Sequence, residues 1–103
     1  MRENENVVKL LGYIEDPLSI VMVKYDINLF SLLHEWKRFS LQEISVMTGC
    51  SIAIDIANGM AALHSASIIH LDLKSSNILL LMDYDEPETY RAVISDFGKE
   101  MQV

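Results

Sequence analysis

Basic residues are scarce in this sequence: eight Lys and Arg stand against fifteen Asp and Glu, giving a formal net charge of −7 over 103 residues. No basic stripe remains to neutralise phosphates, which excludes the electrostatic footprint of a nucleic-acid binder and argues against an anionic membrane surface. Cysteine is nearly absent. Cys50 stands alone, so no internal disulfide can form, and a reducing, cytoplasmic (intracellular) setting fits. Two prolines and four glycines leave no room for a low-complexity linker, and no segment repeats. The opening residues, MRENEN, lack the apolar core of a signal peptide.

Half of the residues are hydrophobic, enough to exclude disorder by composition. The longest apolar stretch, Ile44 to Leu63, matches a membrane's thickness in residue count but carries Asp55 and Asn58 at mid-length. It reads as a buried helix of a soluble protein, with no membrane insertion. Ser40 looks like its N-cap, with Glu43 completing a capping box. Leu41, Ile44, Thr48, Ile52, Ile56, Met60 and Leu63 then recur at helical steps, with Ser51, Asp55, Asn58 and Ser65 on the opposite side. Gly49 and Gly59 each weaken such a helix by about 1 kcal/mol relative to Ala, and Cys50 within it reads as inert packing.

Ahead of this helix, residues 7–11 and 19–23 are short β-branched runs that predict a strand hairpin, with Gly12 and the turn Glu15-Asp16-Pro17 between them. Leu29 to Leu33 predicts a short helix. Beyond the long helix come Ile68-Ile69-His70, a polar loop to Asn77, a strand over Ile78–Leu81 and a last strand over Ala92–Ile94. The acidic turn from Asp83 to Glu88 reads as a solvated hairpin tip, with weak calcium binding as the alternative. His34 and His64 have no metal-ligand partners at useful spacing.

Chemistry shows at two strand ends. In His70-Leu71-Asp72-Leu73-Lys74-Ser75-Ser76-Asn77, an Asp, a Lys and an Asn within six residues of loop offer a base, a cation and an oxygen ligand. In Asp96-Phe97-Gly98, a second carboxylate follows an adjacent strand, and the glycine permits a backbone turn other residues resist. Together they could hold magnesium, which favours few carboxylates plus substrate phosphate oxygens. On these residue types alone, metal-assisted phosphoryl transfer and a plain polar turn both stay open.

The wording of the two segments resembles the catalytic loop H-R-D-L-x-x-x-N and the D-F-G motif of eukaryotic protein kinases. The flanks agree. Asn4 to Tyr13 resembles the stretch entering the small-lobe strands ahead of the hinge, Ile20 to Tyr25 the strand running into the hinge, and Asp55 to His64 the end of the long large-lobe helix. Lys74-Ser75-Ser76-Asn77 is similar to tyrosine-kinase-like serine/threonine kinases. The resemblance implies an α+β, bilobal kinase fold, present in part. Residues 1–23 would be small-lobe strands, 24–28 the hinge, and 29–103 the start of the large lobe.

It also implies roles. Asp72 would accept or orient the substrate hydroxyl's proton, and Lys74 would steady the transferring phosphoryl group. Asn77 and Asp96 would hold Mg2+ bridging the phosphates of ATP. Val23 would be the gatekeeper, backbone groups of Lys24, Tyr25 and Asp26 would meet the adenine, and Leu79 would press on it from below. His70, Phe97 and Leu10 would stack in the apolar spine between lobes. The partners implied are ATP and a protein substrate.

Three departures matter. Leu71 stands where the family has the Arg that receives an activation-loop phosphate, which puts that form of control in doubt. The interval from Asn77 to Asp96 is about half a dozen residues longer than usual, absorbed by the acidic turn, where an insertion is thermodynamically mild. No glycine-rich loop, V-A-I-K lysine or partner glutamate precedes the hinge, and no A-P-E segment follows Val103. The 103 residues by themselves are therefore expected to be inactive, with apolar surface left open and poor solubility. A catalytically inactive, kinase-derived interaction module is the competing reading.

Overall fold

A computed structural model of the chain describes residues 5–8, 10–16, 18–22, 24–69, 73–86, 88–95 and 101–102. In chain order these form β1 (Leu10–Glu15), β2 (Leu18–Met22), β3 (Ile27–Asn28), α1 (Leu29–His34), α2 (Val46–Ser65), β4 (Ile68–Ile69), a 3-10 turn (Ser75–Asn77), β5 (Ile78–Met82), β6 (Tyr90–Ile94) and β7 (Met101–Gln102). The strands form three antiparallel sheets, β1-β2, β3-β5-β6 and β4-β7.

The central sheet sets the frame. Leu80 of β5 is fully buried, as is Ile94 of β6, and the two pack with Val7, Ile27, Leu32, Ile52, Leu63, Ile78 and Ala92 in one core. Each large aliphatic side chain buried there contributes about 1.5–3 kcal/mol of transfer free energy. The register is continuous from Ile78↔Ile94 to Met82↔Tyr90.

The first strand differs from expectation. It starts at Leu10 rather than Val7 and contains Gly12, with a register shift between Leu10 and Gly12. Val7 instead makes a parallel bridge to Ile94, flanked by Val8 N–H to Ile94 O and Ile94 N–H to Asn6 O, both 2.9 Å. The reason is edge satisfaction. β6 has β5 on one side only, and the buried segment Asn6–Val7 supplies backbone partners on the other. The Asn6 side chain completes this by donating to Ala92 O at 2.8 Å.

The long helix starts later than its sequence suggests. Its N-cap is Ser45, in extended conformation, whose hydroxyl accepts from Thr48 N–H at 3.2 Å. Ser40 has a positive φ of 55° and cannot play that role. It closes a turn in which Ser40 N–H donates to Lys37 O and Leu41 N–H to Trp36 O. The expected capping box loses to this turn.

Expectation and structure also part over the helix faces. Ile52 and Leu63 are buried, and Ile56 and Met60 pack partly against the core, as the spacing implied. However, Asp55 lies toward β6, not opposite it, and its carboxylate accepts Ala92 N–H at 3.0 Å. The helix is not buried all round: Val46, Met47 and Ile54 are 85%, 84% and 63% exposed, and Cys50 is exposed rather than packed. One face meets β6, and among the described residues nothing covers the other. By length and composition alone α2 could cross a membrane. Its Asp55 contact and buried residues tie it to the sheet layer instead.

Gly59 explains how close that packing is. A Cβ there would lie 2.5 Å from Asn6 O and 2.8 Å from Ile94 Cδ1. The helix therefore passes the Asn6–Ile94 pairing at a distance only glycine allows.

Candidate active site

Of the residues singled out for chemistry, Lys74, Asn77 and Leu79, with the Lys24–Asp26 linker, gather along β5. At its start, Lys74 caps the 3-10 turn in extended conformation, and Asn77 N–H donates to Lys74 O at 2.9 Å. This turn brings the cationic residue and the amide into one loop of backbone. Lys74 is exposed, while Asn77 is only 4% exposed. The Asn77 carbonyl then accepts twice from Ser95, from its N–H and from its hydroxyl, both at 2.9 Å. Ser95 is buried and directly precedes Asp96 in the sequence. Asp96 itself lies outside the described residues, as do Asp72, Val23, His70 and Phe97.

Along β5, strand alternation buries Ile78 and Leu80 and leaves Leu79 half-buried on the other face. Leu79 stands opposite Asn28 on one side and Val93 on the other. The linker segment runs beside it. Asp26 N–H donates to Leu80 O at 3.0 Å, extending the β3-β5 ladder by one rung. The Asp26 carboxylate makes the next rung, accepting Met82 N–H at 2.9 Å. Lys24 is exposed and Tyr25 half-buried just ahead of it.

Electrostatics at the linker follow from these contacts. Met82 N–H, then the Tyr84 hydroxyl and the Lys24 charge, hold the Asp26 carboxyl below its ordinary range, against a small opposing effect of burial. The Tyr84 phenol is pushed up by its bond to Asp26. Burial, with Glu88 nearby, raises Tyr90.

The comparisons with known proteins decide the family. The protein kinase domain family matches residues 1–103. The chain belongs to the protein kinase family. A probable serine/threonine-protein kinase of Dictyostelium discoideum, pats1, is 42% identical over 99 residues, covering 93% of this chain and 3% of that protein. The serine/threonine-protein kinase TNNI3K of Mus musculus is 41% identical over 99 residues, covering 90% of this chain and 11% of its own. The chain thus spans a small fraction of the length of these curated relatives. Among solved structures, the yeast RNA Pol II CTD kinase CTDK-1 complex superposes with a TM-score of 0.79 at 24% identity, covering 99% of this chain and 31% of that one. That likeness speaks to the fold alone, and it makes the α+β arrangement a part of the bilobal kinase fold.

Within this kinase fold the structure joins Lys74, Asn77 and Leu79 on one strand and turn, and attaches Lys24–Asp26 to the same strand. Leu10 lies on β1, outside this group. Among the described residues no three His, Cys, Asp or Glu side chains converge as a metal cluster, the acidic turn included. In residue type the donor set suits magnesium: an Asn amide and an Asp carboxylate are hard-oxygen donors of the kind that ion takes together with phosphate oxygens.

Sequence reasoning missed Ser95 and Tyr84. Ser95 had a signal, its place just before Asp96. Tyr84 had none beyond being an aromatic in an acidic turn, because no periodicity pairs residues 58 apart in sequence.

Proposed function

We propose that this chain carries the catalytic-loop half of an ATP-dependent serine/threonine protein kinase site. The double hydrogen bond from Ser95 to the Asn77 carbonyl is the observation that carries this reading. It ties Asn77 to Ser95, the residue that precedes Asp96 in the sequence, at the head of β5.

Bound Mg-ATP would supply the transferable γ-phosphoryl group, with Mg2+ offsetting its charge. Asn77 and Asp96 would hold Mg2+ through oxygen. Lys74, exposed at the turn, would place its ammonium against the phosphoryl oxygens, and Asp72 would take or orient the substrate hydroxyl's proton. Leu79 would offer its half-buried side chain to the adenine, below backbone groups of Lys24 to Asp26 and beside the gatekeeper Val23. Because Asp26 N–H is spent on Leu80 O, the adenine's partners would come from the remaining groups of that segment.

The 103 residues alone would transfer no phosphate, since positioning of the nucleotide phosphates also needs a glycine-rich loop and its paired lysine. The relatives' serine/threonine specificity and the presence of Lys74 support Ser/Thr as the acceptor. The lone cysteine supports a cytoplasmic setting.

The test is a chimera in which these residues replace the matching segment of mouse TNNI3K. Transfer of phosphate to serine in a generic protein substrate, abolished by Asp72→Asn, supports the reading. A folded chimera that binds ATP yet transfers nothing favours the interaction-module alternative.

A further inference from the structure

The acidic turn between β5 and β6 is braced at both ends. On one side the Tyr84 hydroxyl donates to Asp26 Oδ1 at 2.7 Å. On the other, the Thr48 hydroxyl in the first turn of α2 donates to Glu88 O at 3.2 Å. Inside the turn, Asp85 N–H donates to Asp83 Oδ1 and Asp83 N–H to Thr89 O, both 3.0 Å. Asp83 to Glu86 and Glu88 are exposed, as a solvated hairpin tip requires, and these bonds tether the turn to the start of α2 and to the linker.

We propose that Tyr84 is a positioning residue for nucleotide binding, holding the Lys24–Asp26 linker against β5. The geometry gives it leverage. Asp26 is exposed and has one carboxylate oxygen on Met82 N–H and the other on Tyr84, while its own N–H reaches Leu80 O. Those three bonds decide where the backbone of Lys24 and Tyr25 lies relative to Leu79. Without the phenol, Asp26 Oδ1 turns to water and the carboxylate can leave Met82. A free Lys24–Asp26 segment would have to be ordered when the nucleotide binds, which lowers affinity without touching the reacting atoms. Tyr84 itself is 81% exposed, so its ring contributes little to the core and its hydroxyl is what acts. The role in binding rests on the nucleotide reading above; the brace does not.

The test compares the chain with Tyr84→Phe, which removes only the donor, and with Asp26→Asn and the double variant. Amide exchange of Asp26 and Met82, which needs no nucleotide, should speed about three- to tenfold in Tyr84→Phe, the scale of one hydrogen bond. Mg-ATP titration of the same variants in the TNNI3K chimera, followed by the amide shifts of residues 24–26, should show affinity weakened by a similar factor of about three to ten, and the double variant should be less than additive. Unchanged exchange in Tyr84→Phe overturns the brace. Faster exchange with unaltered Mg-ATP affinity overturns the positioning role. If the unmutated chimera shows no ATP-dependent shifts in residues 24–26, the nucleotide reading fails, and the exchange data still judge the brace alone.

Discussion

Ser95 gives both of its donors, N–H and hydroxyl, to the carbonyl of Asn77, at 2.9 Å each. Both residues are buried, at 4% exposure, so the pair is shielded from competing water. Removing the hydroxyl alone would leave the Asn77 carbonyl with the N–H bond. Ser95→Ala is expected to cost about 1 kcal/mol, the net worth of one hydrogen bond, measured by urea denaturation. No loss of stability would mean the second bond does not form.

Asp55 and Ala92 make a second test. Ala92 N–H is buried and its acceptor is the Asp55 carboxylate. Asp55→Ala should destabilise by about 1–3 kcal/mol, the cost of an unsatisfied buried donor. Asp55→Asn keeps an acceptor oxygen and should lose less. If both variants are as stable as the parent chain, the helix–strand contact is incidental.

The two helical glycines should respond in opposite senses. At Gly49 a Cβ would meet only Ile44 Cδ1, at an ordinary 3.7 Å, so Gly49→Ala should stabilise by up to about 1 kcal/mol. At Gly59 the same propensity gain is opposed by contact with Asn6 O, a backbone atom held by Ile94 N–H. Overpacking of that kind costs about 1–3 kcal/mol, so Gly59→Ala should be destabilising. Thermal melts of the two variants give the comparison directly.

Acid and alkali should act on the Asp26–Tyr84 pair at opposite ends of the scale. The folded Asp26 carboxyl is held below its unfolded value, so its contribution is complete above about pH 4 and fades as pH falls through the lowered value. The Tyr84 phenol is raised, so its contribution is complete below about pH 10 and fades as pH rises through the raised value. Ultraviolet titration should show late-ionising phenols at Tyr84 and Tyr90. Asp26→Asn should return the first toward the ordinary range and leave the second, which burial raises, in place.

Much of this fold was legible because the signals were local. Strands β5 and β6 and helix α1 follow from apolar runs, and the catalytic-loop wording carries the family resemblance. What failed was decided by contacts distant in sequence. Ser40 with Glu43 satisfies a capping pattern, yet the Trp36–Leu41 turn puts Ser40 at positive φ and passes the cap to Ser45. Asp55 looked like a solvent-facing polar residue because helical spacing cannot reveal a backbone donor waiting on β6. Val7 looked like a hairpin residue because nothing local shows that the β6 edge needs a partner. In the site, Asn77 and Lys74 were readable as a loop motif, while the Ser95 and Tyr84 contacts join segments 18 and 58 residues apart.

The central proposal is that Lys74, Asn77 and Asp96 face one metal-and-phosphate pocket. Its most direct test is paramagnetic line broadening of the 15N-labelled TNNI3K chimera with Mn2+ in place of Mg2+, read as the difference on adding ATP. The amides of Lys74, Asn77 and Ser95 should broaden together, with Gln42 and Asn58 left sharp. ATP-dependent broadening centred on the Asp83–Glu88 turn, or spread evenly over the chain, would contradict it.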